Sequence, residues 1–371
     1  MNSPPDVLQS KFDELSRVYG YGSSSKVRVL EKQGKSAAAY SIIGRRTSME
    51  DRFVVEENVL GKNIAYFAVF DGHGGEFAAD YARDHLLKNL ETKIEEWSSN
   101  GTAEKTTRVS SFFNGYRSQI PIIDESEPDY RKILNDAILS TDKDLMTAQI
   151  DQEPERWSGF KSGSTALVAL IVGSRLFVAN VGDSRGVMCD FEGRTVPLSF
   201  DHKPNLASER ARIIANGGDV SYVHGAWRVN GHLALSRALG DGPDEKRLGV
   251  LIADPDILTF ELGRHRPRFL VLATDGLWDV LSNEDVVAFL TPRRLREEYF
   301  GAKSLAYYAY LRGSEDNITV VVVDLRSKQW ASSVKCGNGD CGPSSRSPTS
   351  SGRGSTRGGG KKSTPRNSIK K

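Results

Sequence analysis

Short, solid apolar runs alternate with polar turns along most of this chain, and two longer stretches place their apolar residues every three or four positions. Residues 37–43, 52–56, 64–70, 165–172, 176–181, 186–189, 269–273 and 318–323 read as strands. Several of these runs are apolar at consecutive positions, which requires burial on both faces. The spacing of Ala78, Ala82, Leu86, Leu90, Ile94 and Trp97 predicts one helix. Tyr130, Ile133, Leu134, Ala137, Ile138 and Leu145 predict a second. Between them, residues 98–129 read as a polar loop with an aromatic island at Phe112 and Phe113. Gly173, Ser174 and Arg175 separate two apolar runs as a hairpin turn would. Strands buried on both sides need cover, so the pattern predicts an α+β chain of two stacked sheets flanked by helices.

The ends differ from this middle. Residues 1–35 are polar and weakly patterned, a leader of uncertain order, and residues 331–371 form a basic Ser/Gly-rich segment expected to be disordered. The net charge of +2 therefore misleads. Residues 332–371 carry nine Lys or Arg against one acid, Asp340, leaving 41 against 47 in the rest. A mildly acidic body with a basic tail disfavours nucleic acid as the main partner. No apolar run reaches the length of a membrane span, and the first residues lack the pattern of a signal peptide. Three cysteines (Cys189, Cys336, Cys341) in 371 residues argue for a reducing compartment and against a disulfide framework. Cys336 and Cys341 admit pairing or metal binding, but in a Gly/Ser-rich tail they read first as free thiols.

Four carboxylates stand at strand ends. Asp71 follows "IAYFAVF", Asp183 follows "LFVANVG", Asp275 follows "FLVLAT" and Asp316 precedes "NITVVVV". One such Asp is commonly a turn former; four invite the reading that they converge on one rim. Two carboxylates about 4 Å apart repel by roughly 4 kcal/mol at an effective dielectric near 20, so protons or cations must neutralise them. Without a matching His or Cys cluster, the fitting cation is hard and oxygen-loving, Mg2+ or Mn2+. "GRRTSMEDRF" adds Arg45 and Arg46 just upstream of Glu50 and Asp51, and an arginine beside a metal site is a natural phosphate clamp.

Taken in order, "RRTSMEDRF", "VFDGHGGEFAA", "SGSTALVALI", "VANVGDSRGV", "LSRALGD", "LATDGLWDVLSNED" and "RGSEDNITVVVV" resemble the motif series of the metal-dependent protein phosphatase 2C (PPM-type) family. The resemblance spans about residues 36–325 and is nearest to the animal epsilon-type branch. It implies a catalytic domain over 36–330 with a central antiparallel β-sandwich and helices on both outer faces. It also implies a protein serine/threonine phosphatase using two Mn2+ or Mg2+ ions, with a third, weaker site. By the same resemblance Asp71 bridges the two ions, the Gly72 carbonyl ligates one, and Asp275 and Asp316 ligate the other. Glu50 and Asp51 match acids that hold metal-bound waters, and Asp183 matches a ligand of the third ion. Arg46 falls on the phosphate-binding arginine and His73 on the histidine proposed as general acid. The implied reaction is direct attack by a water or hydroxide bridging the ions, without a phosphoenzyme. Its implied substrates are phosphoserine and phosphothreonine proteins, with kinases of stress-activated cascades as partners by analogy, in cytoplasm, nucleus or both. A monomer is expected, and the membrane segment of the epsilon-type member is not carried over. One departure is Gly242-Pro243 after "LGD", where the family usually has an aromatic residue.

Rival readings are weaker. "GDSRG" fits the G-x-S-x-G elbow of serine hydrolases, but "VMCD" and a turn follow it instead of a helix. Neither Cys189 nor Cys341 has an arginine at the spacing of a cysteine phosphatase. A pseudophosphatase that binds phosphoproteins without turnover would be expected to lose its metal-binding acids, and all are present here. His85, His202, His224, His232 and His265 show no ligand spacing. The basic tail admits three readings: solubilising disorder, a nuclear import signal or contact with anionic membranes.

Overall fold

The computed structural model describes residues 29–100, 128–152, 162–241 and 249–326. The tail, the island at Phe112 and Phe113, and Gly242-Pro243 lie outside them, as does the leader before Val29.

Eleven strands form two stacked sheets. One runs in the order β1 (Val29–Gln33), β2 (Ala37–Ile42), β15 (Ile318–Asp324), β14 (Phe269–Ala273), β9 (Arg185–Cys189), β10 (Thr195–Pro197). The other is β13 (Asp256–Glu261), β8 (Arg175–Val181), β7 (Ala166–Val172), β4 (Ile64–Phe70), β3 (Arg52–Glu56). Every neighbouring pair in both is antiparallel. Two short ribbons complete the strands: β5 (Gly72–His73) with β6 (Gly163–Ser164), and β11 (Val220–Val223) with β12 (Ala226–Val229). The helices are α1 (Phe77–Asn100), α2 (Tyr130–Gln152), α3 (Ala207–Ala215), α4 (Leu262–His265), α5 (Asp275–Trp278), α6 (Asn283–Leu290) and α7 (Ala302–Leu311).

The solid apolar runs are explained by cover on both faces. Along β4, Ala65, Phe67 and Val69 enter the layer between the sheets, where they join Ala39, Leu167, Leu272 and Val321. Tyr66, Ala68 and Phe70 point the other way, onto Leu86 and Leu90 of α1 and Leu134 and Ile138 of α2. On the opposite side, Tyr40, Val271, Val320 and Val322 pack against Leu290 of α6 and Leu305 and Ala306 of α7. The sandwich is thus three apolar layers deep, and the expected α+β fold is present.

Several elements lie outside the runs read from the sequence, among them β13 and the helices α3, α6 and α7; in β1 and the β11–β12 ribbon the hydrophobic pattern itself is weak. β1 falls within the residues read as leader; its segment "VLEKQ" is an edge strand with three exposed positions, so no alternation marks it. The ribbon β11–β12 keeps Tyr222 and Trp227 exposed, and only Val220 and Val229 reach a small core of their own.

Phe67 is fully buried between the sheets. Phe67→Ala should destabilise the protein by about 3–5 kcal/mol, because the emptied volume cannot collapse between two hydrogen-bonded sheets. Urea unfolding followed by circular dichroism at fixed metal concentration checks this, with a lowered midpoint and unchanged slope expected.

Candidate metal centre

Antiparallel register brings the acids together. β4 and β8 both flank β7 and so run the same way, which carries Asp71 and Asp183 to one edge of their sheet. In the facing sheet, Ala273 at the end of β14 pairs with Val320 near the start of β15, so Asp275 and Asp316 meet at the corresponding edge. β3 begins where β4 ends, with Arg52 opposite Phe70, and this delivers Glu50. β2 ends opposite the start of β15, with Ile42 opposite Ile318, and this delivers Arg46.

The result is a cleft of about 530 Å3 lined by Arg46, Glu50, Asp71, Gly72, His73, Asp183, Asp275 and Asp316. Close approach is secured at Gly276, where a Cβ would lie 2.0 Å from the Asn317 carbonyl oxygen. Any larger residue would push the first turn of α5, and Asp275 with it, away from Asp316. Asn317 in turn accepts from the Glu50 amide at 2.8 Å and donates to the carbonyls of Ile43 (2.8 Å) and Ser48 (3.0 Å), pinning the "RRTSME" loop over the rim.

Asp51 behaves differently from its neighbour. Glu50 faces the cleft, where it accepts from Ser48 Oγ at 2.7 Å and from the Gly75 amide at 3.3 Å. Asp51 is turned inward, 1% exposed, and accepts from Thr274 Oγ1 (2.8 Å) and Thr319 Oγ1 (2.6 Å). A carboxylate at the head of one sheet is therefore bonded to two hydroxyls of the other. Burial pushes its pKa up to about 7 in spite of those two hydrogen bonds.

The two arginines also separate. Arg46 stays at the cleft, with Nη2 2.5 Å from Asp316 Oδ2, and its side chain is 58% exposed. Arg45 turns away to donate to the Ser314 carbonyl at 3.0 Å and to lie over the Tyr310 ring.

Lys203, which the sequence pattern did not single out, donates to Asp183 Oδ2 at 2.6 Å. Asp279 was also missed, although its place four residues after Asp275 in "DGLWD" puts it on the same side of a helical turn. Arg228 and His232, from and just after β12, line the cleft as well. His73 Nε2 lies 2.5 Å from Asp241 Oδ2, a partner that "LSRALGD" contained without marking.

Charge balance shows what the cleft requires. Asp316 has Arg46 and Asp183 has Lys203, whereas no hydrogen bond or ion pair engages the Asp71 and Asp275 carboxylates among the described residues. Both have pKa values raised well above the ordinary carboxylate range, first by burial and then by the surrounding aspartates. No three His, Cys, Asp or Glu side chains among the described residues close to the spacing of a metal shell. The donors are all oxygen, which fits a hard divalent cation and not zinc. Asp71, Asp275, Asp316, Asp183, Glu50 and the Gly72 carbonyl are thus at hand for such ions, while Asp51 lies behind them.

Comparison with known proteins gives the family and supports the fold. Residues 37–318 match the family model described as protein phosphatase 2C. The chain is 44% identical over 323 residues to protein phosphatase 1L of Bos taurus, covering 87% of this chain and 77% of that one. It is 38% identical to probable protein phosphatase 2C 59 of Arabidopsis thaliana, covering 87% and 90%. Among solved structures, a serine-threonine phosphatase 2C from Toxoplasma gondii superposes with a TM-score of 0.64 at 26% identity, over 80% of this chain and 99% of that one. A Caenorhabditis elegans sex determining protein shares the fold, with a TM-score of 0.61 at 22% identity over 87% and 73%. With the acid-lined edge of the sandwich and this breadth of similarity in view, the chain belongs to the protein phosphatase 2C family.

Proposed function

We propose that this protein hydrolyses phosphoserine and phosphothreonine in other proteins, with two Mn2+ or Mg2+ ions and a third, weaker one at the acid-lined cleft. The observation that carries this reading is the pair Asp71 and Asp275, two buried carboxylates that no ion pair or side-chain hydrogen bond engages among the described residues, in a cleft that also holds an exposed guanidinium. Asp71 and the Gly72 carbonyl, Asp275, Asp316 and Glu50 are the ligands to the two ions in this reading, directly or through water, and Asp183 serves the third. Asp51 supports them from behind by fixing the edge on which Asp275 and Asp316 stand. Divalent cations bound there supply a water acidic enough to attack phosphorus near neutral pH and positive charge to offset the phosphate.

The chain's own residues do the rest. Arg46 leaves Asp316 for the phosphate, where a planar guanidinium makes two parallel charged hydrogen bonds and stabilises the equatorial oxygens. His73 gives a proton to the departing serine or threonine oxygen. In this reading water attacks directly and no phosphoenzyme forms: the cleft lining contains no cysteine among the described residues, its one hydroxyl, Ser48, donates to Glu50, and its aspartates serve the ions. Phosphoprotein substrates place the enzyme in kinase signalling, stress-activated cascades included, in cytoplasm or nucleus. No helix among the described residues is long and apolar enough to cross a membrane.

Hydrolysis of a phosphothreonine peptide tests this reading. Activity should vanish in EDTA, return with Mn2+ or Mg2+, and fall at least ~1,000-fold in Asp71→Asn at unchanged circular dichroism, since the lost charge supports a term worth several kcal/mol. A folded wild-type protein that stayed silent across metals and peptides would favour phosphoprotein binding without turnover.

The divergence of the two arginines gives a second test. Arg46→Ala should lower kcat/KM on the peptide by about 100-fold, as expected for removal of a charged, bidentate phosphate contact. Arg45→Ala should change it by less than about threefold, because that guanidinium faces Tyr310 and Ser314. Equal losses would remove Arg46 from the phosphate site.

A further inference from the structure

We propose that Asp241 is the positioning residue for His73, and that Gly163 is glycine because the bond between them passes through the space a side chain would fill. This rests on the phosphatase reading above and assigns two residues it did not use.

Three strand segments build the arrangement. β5 pairs with β6, with His73 opposite Gly163, and Ser164 of β6 bridges on its other side to Leu239. The Ser164 amide donates to the Leu239 carbonyl at 3.0 Å and the Leu239 amide to the Ser164 carbonyl at 2.8 Å. Asp241, two residues on, reaches back across Gly163 to His73. A Cβ at Gly163 would lie 2.2 Å from Asp241 Oδ2 and 2.3 Å from His73 Nε2, so alanine there would displace the two groups from this arrangement.

Asp241 is itself held. Asp142 of α2 accepts from the Gly240 amide at 2.8 Å, and Gln149 of the same helix donates to the carbonyls of Gly240 (3.2 Å) and Ser162 (3.1 Å). Ser162 Oγ bonds the Gly75 carbonyl (2.9 Å) and the Ala78 amide (3.1 Å), fixing the turn that carries His73. The Asp241 side chain is only 8% exposed. A carboxylate with little exposure, on a backbone that α2 holds at the preceding Gly240 and aimed at an imidazole, selects one ring orientation.

The chemical consequence is specific. A ring that acts as the acid carries protons on both nitrogens: Nε2–H is donated to Asp241, and Nδ1, with the second proton, is left to serve the leaving group. Its N–H bond breaks as the O–H bond of the released serine or threonine forms. A neutral imidazole remains, with its proton on Nε2 and still bonded to Asp241.

The experiment compares a phosphothreonine peptide with p-nitrophenyl phosphate, whose leaving group hardly needs an acid, in wild type, Asp241→Ala, Asp241→Asn and His73→Gln. Asp241→Ala should lower kcat on the peptide by about 100-fold, the scale of a general acid's contribution, with a much smaller loss on the aryl ester and little change in KM. Asp241→Asn should recover part of the loss, since its amide oxygen still accepts from Nε2–H. Adding Asp241→Ala to His73→Gln should cost nothing further. The 15N imidazole signals of His73 should show the proton held on Nε2 in wild type and tautomer exchange in Asp241→Ala, with Mn2+ affinity unchanged by calorimetry. Equal losses on both substrates, additivity with His73→Gln, or an imidazole spectrum indifferent to Asp241 would overturn the proposal. If wild type hydrolysed neither substrate, the phosphatase reading would fail, while the imidazole spectra would still decide whether Asp241 orients the ring.

Discussion

Carboxylates that share a half-dry cleft repel one another, and this fold drives four aspartates to one edge of a rigid sandwich. Their positions follow from antiparallel pairing: β4 and β8 end there, β14 ends there, and β15 begins there. Strands covered on both faces cannot slide to relieve the repulsion, because a slip of one residue would exchange every inward side chain for an outward one. Like charge is thus concentrated by forces much larger than the repulsion itself. Arg46 and Lys203 offset part of it by pairing with Asp316 and Asp183, and Asp71 and Asp275 are left without a direct ion pair among the described residues. Affinity for divalent cations follows from that imbalance.

Asp51 shows how closely stability and site are linked. It stands beside Glu50 in sequence, yet it serves the frame, bonding Thr274 and Thr319 across the two sheets. Those threonines neighbour Asp275 in β14's extension and lie within β15, so the stitch sets the separation on which Asp275 and Asp316 depend. Gly276 acts at the same place by a different means, through the side chain it lacks. The chemistry of the rim is fixed from behind by groups that never reach the cleft.

Much of this was legible in the sequence. Consecutive apolar positions in "IAYFAVF" and "ITVVVV" announced strands covered on both faces, and the acids at their ends announced a rim. What escaped were contacts that depend on side-chain direction or on chain segments far apart. Nothing in "MEDRF" distinguishes a cleft-facing Glu50 from an inward Asp51, because the difference arises from two threonines more than two hundred residues away. Arg45 and Arg46 are equivalent by composition and are separated only by Tyr310 and the Ser314 carbonyl. Lys203 and Asp241 sit in segments without strand or helix signal, and their roles come entirely from the residues they meet. Weakly amphipathic pieces, β1 and the β11–β12 ribbon, were silent because too little of them is buried to leave a pattern.

If divalent cations bind where proposed, the metal-free rim is electrostatically costly and the cations remove the cost. A carboxyl whose pKa is raised on folding stabilises the protein below its unfolded pKa, near 4, and loses that contribution as pH rises through its folded value. At pH 7.5 the metal-stripped protein should therefore carry the penalty of Asp71 and Asp275 in full or in part. Thermal unfolding at that pH, with and without Mn2+, in wild type and Asp275→Asn, measures it directly. Mn2+ should raise the wild-type Tm in a concentration-dependent way. Asp275→Asn should have the higher Tm without metal and the smaller response to it. A wild-type Tm indifferent to Mn2+, together with a lower Tm for Asp275→Asn in its absence, would rule out cation binding as the relief of this repulsion.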